Sequence, residues 1–263
     1  MTSAMSTFAE PRRCEPTFSN SGRCVPAGAY PFPVTPDAAP SPTFRGVVAI
    51  DGPSGTGKST VARHLAKRLK VAYLDTGAMY RAAALAVLQA EVDPSDAVAV
   101  AVVVSRAQIT VGTDPRRQRT LLNGVDVTRE IRSPATTTAV SPVSAVPEVR
   151  HQLVAQQRAL IGAGPMVVEG RDIGSVVWPD AELKIYLTAS EQVRARRRAG
   201  QHSAVDVAEV ADAIRRRDAY DSERSMSPLR RADGAVEIDT TEMSVDDVVR
   251  LLVERALGAS VRA

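Results

Sequence analysis

The strongest chemical signal in this 263-residue sequence is a run of nine residues, Gly52-Pro53-Ser54-Gly55-Thr56-Gly57-Lys58-Ser59-Thr60. Its spacing fits G-x-x-x-x-G-K-[ST], the phosphate-binding P-loop, and it lies between a strand pattern and a helix pattern, as that motif requires. The glycines let backbone N–H groups surround a phosphate, and Lys58 adds a positive charge. Both Ser59 and Thr60 carry a hydroxyl suited to Mg²⁺, and the general motif favours Ser59. The run therefore predicts a site for a nucleotide phosphate with Mg²⁺.

Other classes of nucleotide-binding protein find little support in the sequence. A GTPase needs an [NT]-K-x-D motif, but none of the four lysines has Asp two positions later. A dinucleotide-binding loop needs a third glycine where Lys58 and Ser59 stand. The apolar strand that ends at Glu169 comes closest to the acidic strand of an ATP-driven machine. Arg171 and Asp172 follow that strand directly, however, and indicate contact with a ligand instead.

Arginines supply nearly all of the positive charge and are concentrated between Arg194 and Arg231. A guanidinium donates two hydrogen bonds in a plane, which suits phosphate. Several of them near a P-loop would neutralise a second anionic substrate and stabilise the charge that spreads during phosphoryl transfer. A phosphate monoester with a second pKa of about 6 needs no general base as an acceptor, whereas a sugar or shikimate hydroxyl does. The number of arginines favours a phosphate acceptor.

Composition bounds the location and the partners of the protein. No apolar run approaches the roughly 20 residues of a membrane span, and the N-terminus lacks the layout of a signal peptide, so we expect a cytoplasmic protein. Aromatic residues make up 4% of the chain and do not alternate with the arginines, which argues against nucleic-acid binding. Cys14 and Cys24 are expected to be free thiols. Nothing marks a subunit interface, so we expect a monomer without a membrane partner.

Residues 1–43 differ in composition from the rest of the chain. They hold eight of the 17 prolines and show neither helical nor strand periodicity. This composition predicts a disordered tail rich in Pro and Ser. The alternative is a misassigned start, with the protein beginning near Phe44.

The remainder alternates between strand and helix patterns and predicts an α/β fold with a parallel sheet covered on both faces. Asn123-Gly124 indicates a tight turn within a strand-rich region, and Pro134 argues against a continuous helix over residues 132–142. Ligands bind at the carboxyl ends of parallel strands, where Asp75, Arg171 and the P-loop all fall. The expected strands are 46–51, 71–74, 165–169, 183–187 and 236–239, with strands at 108–112 and 120–128 in an insert. The expected helices are 60–69, 79–90, 94–105, 148–161, one from about 190, 206–221 and 244–257.

Six stretches, in order, resemble the bacterial cytidylate kinases and span residues 44–258. They are 50–58, IDGPSGTGK; 74–81, LDTGAMYR; 140–150, which opens with VS and ends with PEVR; 169–181, which opens with EGRDIGSVV and ends with PDA; 217–224, which opens with RD and ends with DSER; and 227–229, SPL. Together these motifs are far more specific than the P-loop. The resemblance leaves out the N-terminal tail and a short C-terminal tail, residues 259–263.

The resemblance implies a three-layer P-loop NTPase fold with a β-rich nucleoside-monophosphate-binding insert, about 76–140, and a short helical lid, about 194–204. It implies transfer of the γ-phosphate of ATP to CMP or dCMP, with Mg²⁺. Residues 52–60 would bind ATP, with Lys58 on the β- and γ-phosphates and Arg194, Arg197 or Arg198 closing over it. Two alternatives stay open: a kinase for another acceptor, such as UMP, AMP or a small metabolite, and an ATP-binding regulatory protein without kinase activity.

The resemblance also implies roles for residues outside the P-loop. The acceptor phosphate would be gripped by Arg81, Arg171 and Arg224, which with Lys58 form the catalytic set. The cytosine edge would be read by Ser141, Arg150 and Asp172. The ribose would contact Arg217 and Asp221, and the acceptor pocket would be lined by Thr76 and Tyr80. Taken alone, Arg217 and Asp221 at i, i+4 would more often be a surface ion pair.

Overall fold

The computed structural model describes residues 44–200, 206–224 and 226–260. Three parts of the predicted organisation lie outside the described residues. They are the N-terminal tail (1–43), the last part of the lid (201–204) and residues 261–263 of the C-terminal tail. The strands are β1 (Val47–Asp51), β2 (Ala72–Asp75), β3 (Ile109–Val111), β4 (Thr120–Leu122), β5 (Val125–Asp126), β6 (Met166–Glu169), β7 (Leu183–Thr188) and β8 (Val236–Asp239). The helices are α1 (Lys58–Leu69), α2 (Thr76–Gln89), α3 (Ala97–Arg106), α4 (Pro134–Ala145), α5 (Pro147–Ile161), α6 (Glu191–Ala199), α7 (Val207–Glu223) and α8 (Val245–Ser260).

A five-stranded parallel sheet in the order β2-β6-β1-β7-β8 forms the middle layer. Side chains of β1 alternate between its two faces, because a strand has a period of two. Ala49 packs into a hydrophobic core that includes residues of α2, α4 and α5, whereas Val48 and Ile50 pack into a second core that includes residues of α1 and α8. The three layers confirm the predicted α/β fold with a parallel sheet.

The carboxyl ends of these strands lie at one edge of the sheet. Residue Ile50 of β1 is in register with Glu169 of β6, and Asp51 is in register with Tyr186 of β7. The P-loop, Asp75 and the segment after Glu169 therefore start from the same edge, as the strand pattern predicted.

The region between β2 and α5 contains a small second sheet. Strands β3, β4 and β5 are antiparallel, and Asn123 and Gly124 join β4 to β5 with φ of 51° and 83°. Positive φ at both central residues is what a tight hairpin turn requires and what Asn-Gly tolerates. Helices α2 and α3 and the first part of α4 lie within the predicted insert, 76–140, and α4 continues beyond it to Ala145.

The prediction that Pro134 argues against a continuous helix over residues 132–142 is wrong from Pro134 onward, where a helix begins. A 3₁₀ turn, Glu130–Arg132, ends two residues before Pro134, and α4 begins at Pro134 itself. Proline suits the first helical position because its missing N–H has no partner there. The side chain of Ser133 caps the helix by accepting from the Thr136 N–H at 3.2 Å. Pro142 lies inside α4, which packs its buried residues against the hydrophobic core.

Among the described helices, none combines the length and the apolar character needed to cross a bilayer.

Candidate active site

The P-loop wraps tightly because two of its glycines approach other backbone atoms. Gly52 has φ of 142°, and a Cβ there would lie 2.2 Å from the Leu187 carbonyl oxygen. Gly55 has φ of 82°, and a Cβ there would lie 2.9 Å from the Arg194 carbonyl oxygen. Larger residues are therefore excluded at both positions.

Lys58 is the first residue of α1 and is buried. Its Nζ donates to the carbonyl oxygen of Pro53 at 2.6 Å, and the Thr56 hydroxyl donates to the same oxygen at 3.1 Å. Burial, and then the nearby charge of Arg171, lower the pKa of Lys58. An anion in the loop would favour the charged amine, as the P-loop prediction requires.

Glu169 lies next to the P-loop and was set aside in the sequence analysis. It ends β6, and its side chain accepts from the Tyr73 hydroxyl at 2.6 Å. Burial, and then the charge of Asp75, raise the pKa of Glu169 to about 7, and the Ser59 hydroxyl lies close enough to oppose this rise. The signal was present, since an apolar strand ends in this acid. The sheet order that sets β6 beside β1 makes it part of the site.

Asp75 ends β2 and holds the start of α2. Its Oδ1 accepts from the Ala78 N–H at 2.9 Å, and its Oδ2 accepts from Arg132 at 3.3 Å. Thr76 follows, and its hydroxyl donates to the Glu169 carbonyl oxygen at 2.7 Å. Thr76 therefore ties the start of α2 to the end of β6, and Asp75 ties it to the turn that ends at Arg132.

The Asp221 carboxylate interacts with two of the arginines that are predicted to bind phosphate. Arg171 Nε donates to Asp221 Oδ2 at 2.9 Å, and its Nη1 donates to the Gly52 carbonyl oxygen at 3.0 Å. Arg224 Nε donates to the Asp221 carbonyl oxygen at 3.2 Å, and its Nη2 lies 3.7 Å from Asp221 Oδ1. Burial alone would raise the pKa of Asp221, but Arg171 and Arg224 hold it below its ordinary value.

Two further arginines carry charge that their surroundings do not fully offset. Arg81 donates to the Ile131 carbonyl oxygen at 3.2 Å and to the Thr137 hydroxyl at 2.9 Å. Burial, and then Arg217, lower the pKa of Arg81 to about 9. Burial, and then Arg171, lower the pKa of Arg217 to about 10. Neighbouring guanidinium groups thus repel one another here, and a bound anion would relieve that repulsion.

The predicted cytosine-reading pair is assembled across the sequence. Arg150 on α5 forms an ion pair with Asp172, and both side chains are almost fully buried. Arg150 also donates to the Ser144 carbonyl oxygen at 3.3 Å, and its guanidinium carbon lies 5.3 Å from the centre of the Tyr80 ring. Hydrogen bonds and ring contact hold this pair in one orientation, which a base-reading site needs.

Ser141 is the base-reading candidate that lies apart from the others. It is half-buried on α4, and the cavity wall there consists of Val140 and Ser144. The Ser144 hydroxyl accepts from Arg224 Nη1 at 3.4 Å, so Ser144 contacts both an arginine that is predicted to read the base and one that is predicted to bind phosphate. The sequence analysis missed Ser144, because an expected break at Pro134 hid the helical phase.

The predicted lid arginines contact the P-loop backbone. Arg194 donates to the Ser54 carbonyl oxygen at 3.1 Å and forms an ion pair with Asp218, whose Oδ1 accepts from the Ser54 N–H at 2.9 Å. Arg197 Nη2 donates to the Thr240 carbonyl oxygen at 2.7 Å. The Thr240 hydroxyl donates to the Thr56 carbonyl oxygen at 3.2 Å. Asp218 and Thr240, which the sequence analysis did not assign, therefore brace the loop.

Asp51 joins the P-loop strand to the segment after Asp172. Its two carboxylate oxygens accept from the N–H groups of Ile173 and Gly174, each at 2.8 Å. Burial raises the pKa of Asp51 to about 6, against the lowering effect of these hydrogen bonds. The segment Ile173–Val177 forms a π-helical turn that the sequence analysis did not predict.

One cavity of about 980 Å³ brings these groups together. That volume is at the upper end for ligand sites. Among the predicted residues, those that line it are Ser54, Gly55, Thr56, Gly57, Lys58, Ser59, Thr60, Thr76, Tyr80, Arg81, Arg150, Arg171, Asp172, Arg197, Arg198, Arg217, Asp221 and Arg224. The predicted residues that do not line it are Gly52, Pro53, Ser141 and Arg194.

Comparisons with known proteins identify the family to which this chain belongs. The family model described as cytidylate kinase matches residues 48–257. A cytidylate kinase of Rhodococcus jostii is 55% identical over 217 residues, which are 80% of this chain and 95% of that protein. One of Corynebacterium efficiens is 50% identical over 222 residues, 82% of this chain and 96% of that protein. A solved gluconokinase of Sinorhizobium meliloti is 13% identical, with a TM-score of 0.44, over 84% of this chain and 94% of its own. The chain belongs to the cytidylate kinase family.

Proposed function

We propose that this protein transfers the γ-phosphate of ATP to CMP or dCMP, giving ADP and CDP or dCDP. The observation that carries the proposal is the single cavity in which a P-loop, a group of arginines and the buried Arg150–Asp172 pair meet. Relatives named cytidylate kinases at 50% and 55% identity support the same activity.

ATP is proposed to bind with its phosphates in the P-loop. The loop N–H groups and Lys58 take the β- and γ-phosphates, and Lys58 Nζ exchanges the Pro53 carbonyl oxygen for a phosphate oxygen. Arg197 and Arg194 keep the loop in shape through its carbonyl groups, and Arg197, which lines the cavity, is in reach of ATP.

The acceptor phosphate is proposed to bind Arg81, Arg171 and Arg224. Each guanidinium lines the cavity and already donates to fixed protein oxygens, so its orientation is set before the nucleotide arrives. Arg217 and Asp221 are proposed to contact the ribose. Preorganised donors of this kind stabilise the charge that develops during transfer.

Cytosine is proposed to be read by Asp172 and Arg150. Cytosine presents an amino group that donates a hydrogen bond to a carboxylate, whereas uracil has a carbonyl oxygen at that position. Asp172 would accept from the amino group, and Arg150 would donate to the acceptor atoms of the same base edge. Thr76 and Tyr80 would line this pocket, and Ser141 would add a contact after a small shift of α4.

Mg²⁺ is proposed to accompany ATP, with Ser59 as its protein ligand. The site fits this ion, because the Ser59 hydroxyl and the adjacent Glu169 carboxylate are the oxygen donors that Mg²⁺ prefers. Bound Mg²⁺ would supply charge neutralisation at the β- and γ-phosphates. Glu169 would orient the Ser59 hydroxyl and water molecules around the ion.

The reaction needs no general base from the protein. At neutral pH the CMP phosphate is mostly a dianion, because its second pKa is about 6. One of its oxygens attacks the γ-phosphorus in line, a new P–O bond forms, and the bond to the β-bridging oxygen breaks to release ADP. The arginines neutralise the approaching anions and hold them in position.

The decisive experiment measures ADP release in a coupled assay with ATP, Mg²⁺ and CMP, dCMP, UMP, AMP or shikimate in parallel. We expect strong turnover with CMP and dCMP alone. Comparable turnover with UMP or AMP would keep the kinase and reject base reading by Asp172. ADP release that ignores every acceptor would favour an ATP-binding regulatory protein. A cytoplasmic location, a monomeric state and the absence of a nucleic-acid partner stay predictions.

A further inference from the structure

Arg132 is an arginine of the cavity to which the sequence analysis assigned no role. It ends the 3₁₀ turn Glu130–Arg132, and Ser133 and Pro134 start α4 directly after it. Its side chain lines the same cavity as Lys58 and Arg171. Arg132 therefore lies between a 3₁₀ turn and a helix that is capped by Ser133, and its side chain lines the cavity.

The guanidinium of Arg132 is loosely held. Its Nη2 lies 3.3 Å from Asp75 Oδ2, which is long for a hydrogen bond between charged groups. The Arg132 side chain is 56% exposed, whereas that of Asp75 is 13% exposed. Asp75 keeps its hydrogen bond to the Ala78 N–H whether or not Arg132 stays. Ion pairs this exposed contribute little to stability, so Arg132 can change partners at little cost.

Arg132 adds to a local excess of positive charge. The pKa of Arg198 is lowered first by burial and then by the positive charge of Arg132. The charge of Arg132 also contributes to the lowered pKa of Arg81. Guanidinium groups from α2, α6 and the turn before α4 thus lie within electrostatic range of one another. Such a cluster is suited to an anion whose charge is spread over several oxygens.

We propose that Arg132 is a further catalytic residue, whose guanidinium leaves Asp75 when both nucleotides are bound and contacts the phosphoryl group in transit. This inference rests on the proposed phosphoryl transfer. As the P–O bond to the acceptor forms and the bond to ADP breaks, negative charge spreads over the equatorial oxygens of the transferred group. Arg132 would donate two hydrogen bonds to these oxygens, and no proton would be transferred.

Two variants and one matched control test this role. Arg132→Lys keeps the charge but loses the planar fork, and Arg132→Ala loses both. Arg129→Gln is the control, because Arg129 is exposed, precedes the same turn and does not line the cavity. The assay determines kcat, the KM values for ATP and CMP, and the midpoint of thermal unfolding.

We expect Arg132→Ala to lower kcat roughly 100-fold, in the range found for the loss of one donor to a transition state. The KM values for both nucleotides should stay within about three-fold, and added guanidinium ion should restore part of the lost rate. Arg132→Lys should fall between Arg132→Ala and the wild type, and Arg129→Gln should match the wild type.

A kcat within about three-fold of wild type would overturn the proposal. So would a rise in KM for CMP with kcat preserved, since Arg132 would then bind the ground state. A loss of rate that guanidinium does not restore, together with a lower unfolding midpoint, would assign Arg132 a structural role. If the wild type prefers an acceptor other than CMP, the base assignment fails alone, and the same comparison on that acceptor still decides the role of Arg132.

Discussion

At the scale of single residues, the site depends on charges that are buried in pairs. Arg150 and Asp172 exclude water from each other, and each side chain would be left as an uncompensated charge without its partner. The ion pair and the hydrogen bond to the Ser144 carbonyl oxygen also fix the orientation of both side chains in the cavity wall. The chemistry of the pair predicts how base choice should respond to mutation.

Asp172→Asn should relax the choice of base. The amide can donate to the carbonyl oxygen of uracil as well as accept from cytosine, so the ratio of kcat/KM for CMP over UMP should fall roughly 10- to 100-fold. The KM for ATP should stay within about two-fold. Asp180→Asn is the control, because Asp180 is exposed and lies outside the cavity. An unchanged ratio would remove Asp172 from base recognition.

Asp51 predicts a pH dependence of stability at the same scale. Its pKa is raised from 3.8 to about 6, so the folded protein binds more protons than the unfolded chain between these values. The associated stability is fully present below about pH 4 and is lost as pH rises through about 6, a change of about 3 kcal/mol. The difference in the free energy of unfolding between pH 4 and pH 7, measured with urea, should be smaller for Asp51→Asn than for the wild type. An equal pH dependence in both proteins would contradict this origin.

At the scale of elements, α4 connects the predicted insert to the cavity in which the acceptor is proposed to bind. Its residues Val140 and Ser144 line the cavity, and Ser144 accepts hydrogen bonds from Arg150 of α5 and from Arg224, which follows α7. The start of α4 depends on Ser133 and Pro134, which end the preceding turn and cap the new helix. A weaker cap should therefore affect both stability and the acceptor site.

Ser133→Ala should destabilise the fold by about 1 kcal/mol, as the loss of a helix N-cap does elsewhere. The KM for CMP should rise more than the KM for ATP, because α4 lines the acceptor side. Chemical denaturation and steady-state kinetics would measure both effects. Ser105→Ala near the end of α3 is the matched control, since its hydroxyl is exposed and bonds only within the last turn. Equal effects of the two variants would refute a special role for the α4 cap.

At the scale of the whole molecule, the cavity gathers positive charge that an anionic ligand would offset. Residues from α1, α2, α5, α6, α7 and the loops between them contribute to it. A ligand that binds the folded state alone stabilises it in proportion to the logarithm of its concentration. The fold and the ligand are therefore linked through the arginines.

CMP should raise the free energy of unfolding by about 2.7 kcal/mol when its concentration is about 100 times its dissociation constant. Thermal unfolding with CMP, dCMP and UMP at equal concentration would measure this without any turnover. UMP should give a smaller shift than CMP, because Asp172 lacks an amino group to accept from. Equal shifts for all three nucleotides would place the binding energy in the phosphate and ribose alone.

Local sequence patterns determined the P-loop, the order of the strands along the chain and most helix bounds. A P-loop needs glycines and Lys58 at set spacing, and a buried strand needs a short apolar run, so both can be read without neighbours. Hairpin geometry at Asn123-Gly124 was predictable for the same reason, since the two residues tolerate positive φ. The start of α4 at Pro134 was not predicted, because proline breaks the interior of a helix but favours its first position.

Tertiary structure alone decided which distant residues meet. Asp172 is 22 residues from Arg150, and Asp221 is 50 residues from Arg171, yet each forms an ion pair because its helix or loop packs at one edge of the sheet. The order β2-β6-β1 brings Glu169 beside Ser59, and the phase of α4 sets Ser144 rather than Ser141 on the cavity wall. These outcomes depend on the packing of whole elements against one another, which a local pattern of residues does not encode.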